Sequence, residues 1–227
     1  MSDQNPQENK FKICLLEWKE KLIFTFQGCI LVLGLIIFFF LIYFVNIHSF
    51  LAVTSRLDAD LLIVEGWMSD FAIKSAIAEF DRSSYQKLIT TGSPLGKGFY
   101  LSEYKNFAEI SAATLIVLGF DPDLVIAVPT PNVIKCRTTA SAMAVKEWLA
   151  SSDLKVNSIN VYTLGTHARR SWMNYRRVFS PDIKVGVIAL EPKGYDSRRW
   201  WRSSAGVRTV IGEAIAYFYA RFVDWKS

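Results

Sequence analysis

The sequence predicts an α/β protein: a Rossmann-like three-layer sandwich with a mostly parallel sheet of about five strands, preceded by one transmembrane helix. Three observations predict this fold class. An apolar segment occupies residues 22–47. Beyond residue 57, short runs rich in Val, Ile and Leu recur, as buried parallel strands do. Amphipathic stretches separate these runs, which is the alternation of a parallel sheet covered by helices on both faces.

The N-terminal apolar segment is long enough to span a bilayer. Residues 22–55 contain no Asp, Glu, Lys or Arg, and about 20 apolar residues cross the hydrocarbon core as a helix. The run is too long for the core of a signal peptide. It therefore predicts an uncleaved signal anchor over residues 22–47, with a buried core helix as the alternative.

Flanking charges predict the orientation of this anchor. Lysines concentrate on its N-terminal side, whereas Arg56 is the nearest cation on the other side. Lys and Arg favour the cytoplasmic side of a membrane. Residues 1–21 are therefore predicted to be cytoplasmic, and a soluble domain over residues 57–227 is predicted to lie outside the inner (plasma) membrane. The lysines are Lys10, Lys12, Lys19 and Lys21.

The regular alternation of runs predicts that residues 57–227 fold alone. The predicted strands are 60–65, 87–91, 124–129, 158–164 and 183–190. The predicted helices are 71–80, 101–118, 138–150, 166–179 and 206–222. Ser102 is the predicted N-cap of the second helix, and Gly119 ends it. The last helix places one set of residues on a single face: Val207, Ile211, Ala214, Phe218 and Phe222.

Composition limits the classes of function. The net charge of +5 is mildly basic, which suits an anionic ligand or a lipid surface. It is too small and too scattered to predict nucleic-acid binding. Cys136 is the only cysteine after residue 57, and no Cys/His or Asp cluster occurs. No disulfide, metal site or cofactor is therefore predicted for the domain.

Cations stand at two predicted helix starts, where acidic residues are normally favoured. One helix begins with Arg137 and Thr138, and the other begins near His167, Arg169 and Arg170. A phosphate there would satisfy the exposed N–H groups, the helix dipole and a guanidinium together. Because Arg169 and Arg170 are adjacent, at most one is expected to face the ligand. The alternative is that these cations are simply solvated.

Further candidates follow other predicted strands, because ligands bind beyond the carboxyl ends of strands in an open parallel sheet. Glu65 ends the first strand, where burial of an acid is costly without a partner. It is predicted to act as a general base, with His167 as the second catalytic candidate, or else to pair with an arginine. Gly66, Thr91 and Gly92 are predicted to bind ligand, although these glycines match no dinucleotide fingerprint or P-loop. If the third and fourth strands are neighbours, Arg137 and His167 open into one crevice.

The segment 198–202 combines arginine with tryptophan before the last helix. This combination suits a lipid interface. A core tryptophan flanked by solvated arginines is the equal alternative. The sequence leaves this choice open.

Five short motifs occur in a fixed order over about residues 58–190. They are Glu65-Gly66, Thr91-Gly92, Ser102-Glu103, Arg137-Thr138-Thr139 and His167-Ala168-Arg169-Arg170. This order resembles the SanA/ElyC/YdcF-like family of cell-envelope proteins. The resemblance implies a Rossmann-like domain outside the inner membrane and a role in envelope integrity, with some members connected with peptidoglycan and its lipid carrier. It implies no settled reaction, and Trp67, Ser93 and Pro129-Thr130-Pro131 depart from the family pattern.

The leading hypothesis is a membrane-anchored cell-envelope factor that binds a phosphate-bearing cell-wall or lipid-carrier intermediate. Its expected partners are membrane lipid and a small anionic or lipid-linked phosphate ligand, with no nucleic acid. Whether it also processes the ligand, and hence is an enzyme, is left open, as is its oligomeric state. The alternatives are a nucleotide or adenosyl-cofactor binding module and a non-catalytic envelope scaffold.

Overall fold

The computed structural model describes residues 16–18 and 22–223. Most of the predicted cytoplasmic segment 1–21 lies outside these residues. The chain divides into two compact units, Met1–Asn46 and Ile47–Ser227. The second unit begins ten residues before the domain start predicted from the sequence.

The first unit contains a short hairpin and most of one long helix. Strand β1 (Leu16–Trp18) pairs antiparallel with β2 (Leu22–Phe24), and helix α1 runs over Phe26–Leu51. By length and composition α1 could cross a membrane, and no other described helix passes the same test. Most of its large apolar side chains between residues 30 and 45 are exposed, unlike those of a core helix. The helix begins and ends four residues later than the predicted span, residues 22–47.

The second unit is built on one parallel sheet of five strands, as the sequence predicts. The strands are β3 (Leu61–Glu65), β4 (Lys87–Gly92), β5 (Val125–Pro129), β6 (Ser158–Leu164) and β7 (Lys184–Leu190). Their order is β5-β4-β3-β6-β7, with every neighbouring pair parallel. The condition that the third and fourth strands are neighbours is not met, because β4 and β3 separate β5 from β6.

Helices cover both faces of this sheet, which completes the predicted three layers. They are α2 (Asp70–Phe80), α3 (Phe107–Val117), α4 (Arg137–Ala150), α5 (Ala168–Phe179) and α6 (Ser204–Phe222). Side chains alternate between the faces of a strand. Leu62 and Val64 accordingly join the core with α2 and α3, whereas Leu61 and Ile63 join the core with α4 and α5. Helix α6 packs against α5.

Helix α3 begins later than predicted. Asn106, not Ser102, is its N-cap, and the Asn106 side chain accepts a hydrogen bond from the Glu109 amide at 2.8 Å. The Glu109 carboxylate accepts one from the Lys105 amide at 3.1 Å, so the two side chains satisfy N–H groups reciprocally. Gly119 follows the helix with φ of 93°, which confirms it as the predicted stop.

The second unit includes the last turn of α1. Ile47 and Leu51 are 2% and 0% exposed and belong to its buried hydrophobic residues. The following segment adds an edge contact, because the Ser55 amide donates to the Val187 carbonyl at 2.8 Å and the Ser55 carbonyl accepts from the Val187 amide at 3.0 Å. The helix end and the linker are therefore structural parts of the α/β unit.

Helix α6 does not bury the apolar set that the sequence places on one face. The buried face carries the small side chains of Gly206, Ala214 and Ala220 together with Val210. Of the apolar set only Ala214 is buried, and its large side chains are exposed. These are Val207, Ile211, Phe218 and Phe222. Periodicity identified the helix but not which apolar face is covered.

The segment before α6 forms a short 3₁₀ turn at Ser197–Arg202. Trp200 is 1% exposed, as expected for a core tryptophan. Arg198, Arg199 and Arg202 are exposed. The alternative of a core tryptophan with solvated arginines therefore describes Trp200, while the adjacent Trp201 is 39% exposed.

Candidate functional site

A cavity of about 790 Å³ lies where the order of the strands reverses, beyond the carboxyl ends of β3 and β6. This is where open α/β sheets bind ligands, and the volume is within the usual range for ligand pockets. Seven of the nine residues predicted to form the site line it: Glu65, Thr91, Gly92, Arg137, Thr138, His167 and Arg170.

Glu65 is the last residue of β3 and shares the strand face of Ile63, which packs towards α5. Its side chain is 3% exposed. Thr163 and Ser171 both donate a hydroxyl hydrogen bond to its carboxylate, Ser171 at 2.9 Å. The His167 Nε2 lies 3.4 Å from the same carboxylate, at ion-pair distance but without hydrogen-bond geometry. These three groups offset the cost of burying an acid, so Glu65 pairs with His167 and not with an arginine.

His167 closes the 3₁₀ turn Gly165–His167 that follows β6 and immediately precedes α5. Its Nδ1 lies 3.0 Å from Glu213 Oε1 on α6, and its Nε2 points to Glu65. The Trp67 ring packs against the imidazole with 4.8 Å between centroids. The ring is thus fixed between two carboxylates and is nine-tenths buried.

Arg170 binds Glu213 through two hydrogen bonds, from Nε at 3.0 Å and from Nη2 at 3.1 Å. Its Nη1 reaches Thr138 at the start of α4 at 3.4 Å. Nη2 also lies 2.9 Å from His167 Nδ1. The Nδ1 atom therefore meets one acceptor and one donor, so either tautomer of the imidazole finds a partner there.

The sequence motifs did not assign Glu213 to the site. Burial raises the pKa of Glu213, but hydrogen bonds and positive charge from His167 and Arg170 outweigh burial and lower it to about 2. One signal could have identified Glu213 as a site residue: it is an acid close to Val210 and Ala214, which lie on the buried face of α6. A buried acid needs a partner, and the two cations at the start of α5 supply it.

The rim of the cavity at the start of α4 is cationic. Lys135 and Arg137 are exposed, and no acidic residue lies in the first turn of this helix. Within residues 16–18 and 22–223, neither side chain has a hydrogen bond or an ion pair. Cys136 between them takes a left-handed conformation with φ of 55°, which a non-glycine residue adopts only at some cost.

Arg137 and His167 share this cavity although their strands are not neighbours. The chain after β5 turns into α4, and α4 packs alongside α5. The start of α4 is thereby brought next to the start of α5, as the Arg170–Thr138 contact shows. The two helix starts meet through helix packing and not through strand pairing.

Arg169 does not line the cavity. Its guanidinium lies over the Phe50 ring, 4.0 Å from the centroid, and donates to the Phe50 carbonyl in the last turn of α1. Successive helical residues point about 100° apart, so only Arg170 of the pair reaches the site. The structure therefore does not bring Arg169 together with the other predicted ligand-binding residues.

Gly66 also lies outside the cavity lining. A Cβ at this position would come within 2.5 Å of the Phe107 carbonyl oxygen, and the Ser111 hydroxyl donates to the Gly66 carbonyl at 2.9 Å. The first turn of α3 therefore requires glycine here. At Gly92 a Cβ would lie 2.6 Å from the Phe107 Cβ, so packing explains that glycine as well, although it does line the cavity.

Part of the cavity wall is apolar. Helix α6 contributes Ile215, Ala216, Tyr219 and Ala220, and the loop before α4 contributes Ile134. A ligand in this cavity therefore meets both cations and hydrocarbon. This division favours an amphiphilic ligand.

No family model, no curated protein and no solved structure matches this chain. Among residues 16–18 and 22–223, no three His, Cys, Asp or Glu side chains are grouped so that they could hold a metal ion. What the site can do follows from its own chemistry: an imidazole fixed between two carboxylates, and two solvated cations at the rim.

Proposed function

We propose that this chain is a membrane-anchored cell-envelope factor of the SanA/ElyC/YdcF-like type, and that its cavity binds a phosphate-bearing cell-wall or lipid-carrier intermediate. The observation that carries this proposal is that two cations, Lys135 and Arg137, lie together at the start of α4. Neither has an anionic partner among the described residues. All other charges of the cavity are already engaged: Glu65 with His167, and Glu213 with Arg170.

A phosphate is the anion that fits this rim best. The first N–H groups of a helix have no partner within the helix and carry the positive end of its dipole. A phosphate oxygen accepts from these N–H groups while the Arg137 guanidinium binds two other oxygens in a bidentate manner. Arg137 supplies the directed contact, and Lys135 adds a point charge.

Acid–base chemistry is the second capacity of the proposed site. Glu65 is a buried carboxylate that meets His167 Nε2, and Glu213 holds the opposite side of the imidazole. A base oriented by a carboxylate is the arrangement used to take a proton from an attacking hydroxyl or water. In this proposal Glu65 and His167 take the proton of a water that attacks phosphorus, and Glu213 positions the imidazole. As the new P–O bond forms, the P–O bond to the alcohol breaks, and the imidazolium returns the proton to the departing oxygen.

Membrane attachment is the second part of the proposal. Helix α1 spans the inner membrane, residues 1–21 remain in the cytoplasm, and the α/β unit lies outside, because lysines precede the helix. A reporter enzyme that works only outside the cytoplasm, fused after Ser227, should be active. A reporter that works only in the cytoplasm should be inactive at the same position, and the reverse pattern would contradict the proposed orientation.

Binding is tested on the full chain in detergent micelles. Inorganic phosphate and farnesyl phosphate serve as probes, and calorimetry measures the dissociation constants. Arg137→Ala should weaken phosphate binding about ten- to a hundredfold, because one charge-assisted contact is lost. Arg137→Lys should restore only part of the affinity, since lysine cannot form the bidentate contact.

Arg176→Ala is the matched control, because Arg176 is exposed on α5 and lies outside the cavity lining. It should leave both dissociation constants unchanged. Equal affinities for Arg137→Ala and Arg176→Ala, or no binding of either probe by the unaltered chain, would reject the phosphate site. The scaffold hypothesis would then become the better one.

A further inference from the structure

We propose that the exposed apolar face of α6 rests on the surface of the lipid bilayer, so that the α/β unit touches the membrane a second time besides its anchor. This inference rests on the proposed function in one respect: α1 must span a membrane. It concerns the outward face of α6 and not the cationic rim of the cavity, so it can fail while the phosphate site stands.

The outward face of α6 is unusually apolar for a helix at the surface of a soluble domain. Val207, Ile211, Ile215, Tyr219 and Phe222 recur at helical spacing and are 39%, 39%, 66%, 51% and 70% exposed, respectively. The inward face holds mostly small side chains. A surface helix ordinarily shows the reverse distribution, and an exposed apolar patch of this kind marks an interaction surface.

The position of α6 in the fold indicates what covers this face. In the last turn of α1, Phe50 packs edge-on against Tyr217 of α6, with 5.5 Å between ring centroids. Arg169 of α5 holds the same Phe50 from another side. The last turn of a spanning helix lies at the bilayer surface. The contact with Phe50 is made on the Val210–Ala214 side of α6, so it keeps α6 next to that surface and leaves the outward apolar face uncovered.

The charges around α6 complement a bilayer with anionic lipids. Arg198, Arg199 and Arg202 precede the helix and are exposed, and Arg208 and Arg221 are exposed on the helix itself. The only acidic residue of α6 is Glu213, which pairs inwards with Arg170 and His167. An apolar face bordered by arginine is the composition of helices that lie in the headgroup region of a membrane.

The cavity and the apolar face share residues. Ile215 and Tyr219 are exposed on α6 and also line the cavity. With α6 seated on the bilayer, the apolar wall of the cavity opens towards the lipid phase. An amphiphilic phosphate can then enter from the headgroup layer without passing through water.

Photo-cross-linking tests this contact in the full chain. The photoreactive amino acid benzoylphenylalanine replaces Ile211 in one variant and Phe222 in another. The proteins are embedded in vesicles of phosphatidylethanolamine and phosphatidylglycerol, irradiated, and analysed by mass spectrometry for lipid adducts. The same amino acid at Val117 of α3, which is 86% exposed, is the negative control, and at Ile36 of α1 it is the positive control. Lipid adducts at Ile211 and Phe222 should exceed those at Val117 by about tenfold, as burial in the headgroup region requires.

Each other outcome decides against the proposal. One such outcome is lipid adducts at Ile36 but adduct yields at Ile211 and Phe222 no higher than at Val117. It would overturn the α6 contact while leaving the anchor intact. A cross-linked pair of chains at Ile211 or Phe222 would mean that a second copy covers this face. No adduct at Ile36 would refute membrane spanning by α1, and the α6 contact would fall with it.

Discussion

A chain that begins at residue 57 should be far less stable than one that begins at residue 47. The shorter chain lacks Ile47 and Leu51, which are 2% and 0% exposed in the α/β unit. It also lacks Arg56, the ion-pair partner of Glu79. The Glu79 side chain is 6% exposed, so it would be left buried without its cation. Truncating one buried Leu or Ile to Ala costs about 2–5 kcal/mol, so the deletion should cost about 5 kcal/mol or more. That loss is comparable with the whole stability of many domains, about 5–15 kcal/mol.

Thermal unfolding followed by tryptophan fluorescence measures this difference. A loss of about 5 kcal/mol should lower the melting temperature by about 10–20 °C in a domain of this size. The point variant Leu51→Ala in the full chain isolates the contribution of one buried side chain. Its matched control is Leu33→Ala, because Leu33 lies on the same helix and is 58% exposed.

Equal melting temperatures for the chains that begin at residues 47 and 57 would contradict this account. So would equal effects of Leu51→Ala and Leu33→Ala. The end of α1 would then be an accessory to the domain and not a part of its core.

Glu213→Ala should cause the second largest loss. Removing one partner of a buried ion pair leaves the other charge without compensation. Arg170 would lose both of its carboxylate hydrogen bonds, and His167 would lose the acceptor at Nδ1. We expect the free energy of unfolding to fall by about 3 kcal/mol, at the lower end of the range for such pairs.

The pH dependence of this loss has a defined sign. The pKa of Glu213 falls from its ordinary value of 4.5 to about 2 in the folded chain. A lowered carboxyl pKa contributes stability above the unfolded value, and that stability is lost as the pH falls through the folded value. The difference between the unaltered chain and Glu213→Ala should therefore be complete at pH 7 and should shrink between pH 4.5 and about 2.

Urea unfolding at several pH values measures both effects. The matched control is Glu147→Ala, because Glu147 is exposed on α4. A surface change of this kind should cost less than about 0.5 kcal/mol. A pH-independent difference, or equal losses for the two variants, would show that Glu213 is not held as an ionised partner of Arg170 and His167.

The sheet and most of the site could be predicted from local sequence patterns. Glu65 ends one strand and His167 follows another, and the apolar runs of both strands are unambiguous. A parallel sheet brings all such strand ends to one edge. Arg137 was found because a cation at a helix start breaks a local rule. These signals depend only on residues near each other in the sequence.

The remaining features depend on packing between distant segments. Glu213 joins the site only because α6 docks on α5, and Arg169 leaves it because Phe50 of α1 lies on its side of α5. The buried face of α6 follows from which neighbour covers it, since two apolar faces of similar periodicity compete on that helix. A short window of sequence does not determine any of these three features.

The imidazole of His167 is held by groups from opposite ends of the α/β unit, with Glu65 on its first strand and Glu213 on its last helix. As the chain emerges during synthesis, the first carboxylate is in place early, whereas the second arrives only with the final helix. Pairing of segments so distant along the chain is a late and slow event in folding. A nascent chain can thus possess its sheet while His167 still lacks its second carboxylate. The cluster of Glu65, His167 and Glu213 is complete only after α6 has docked on α5.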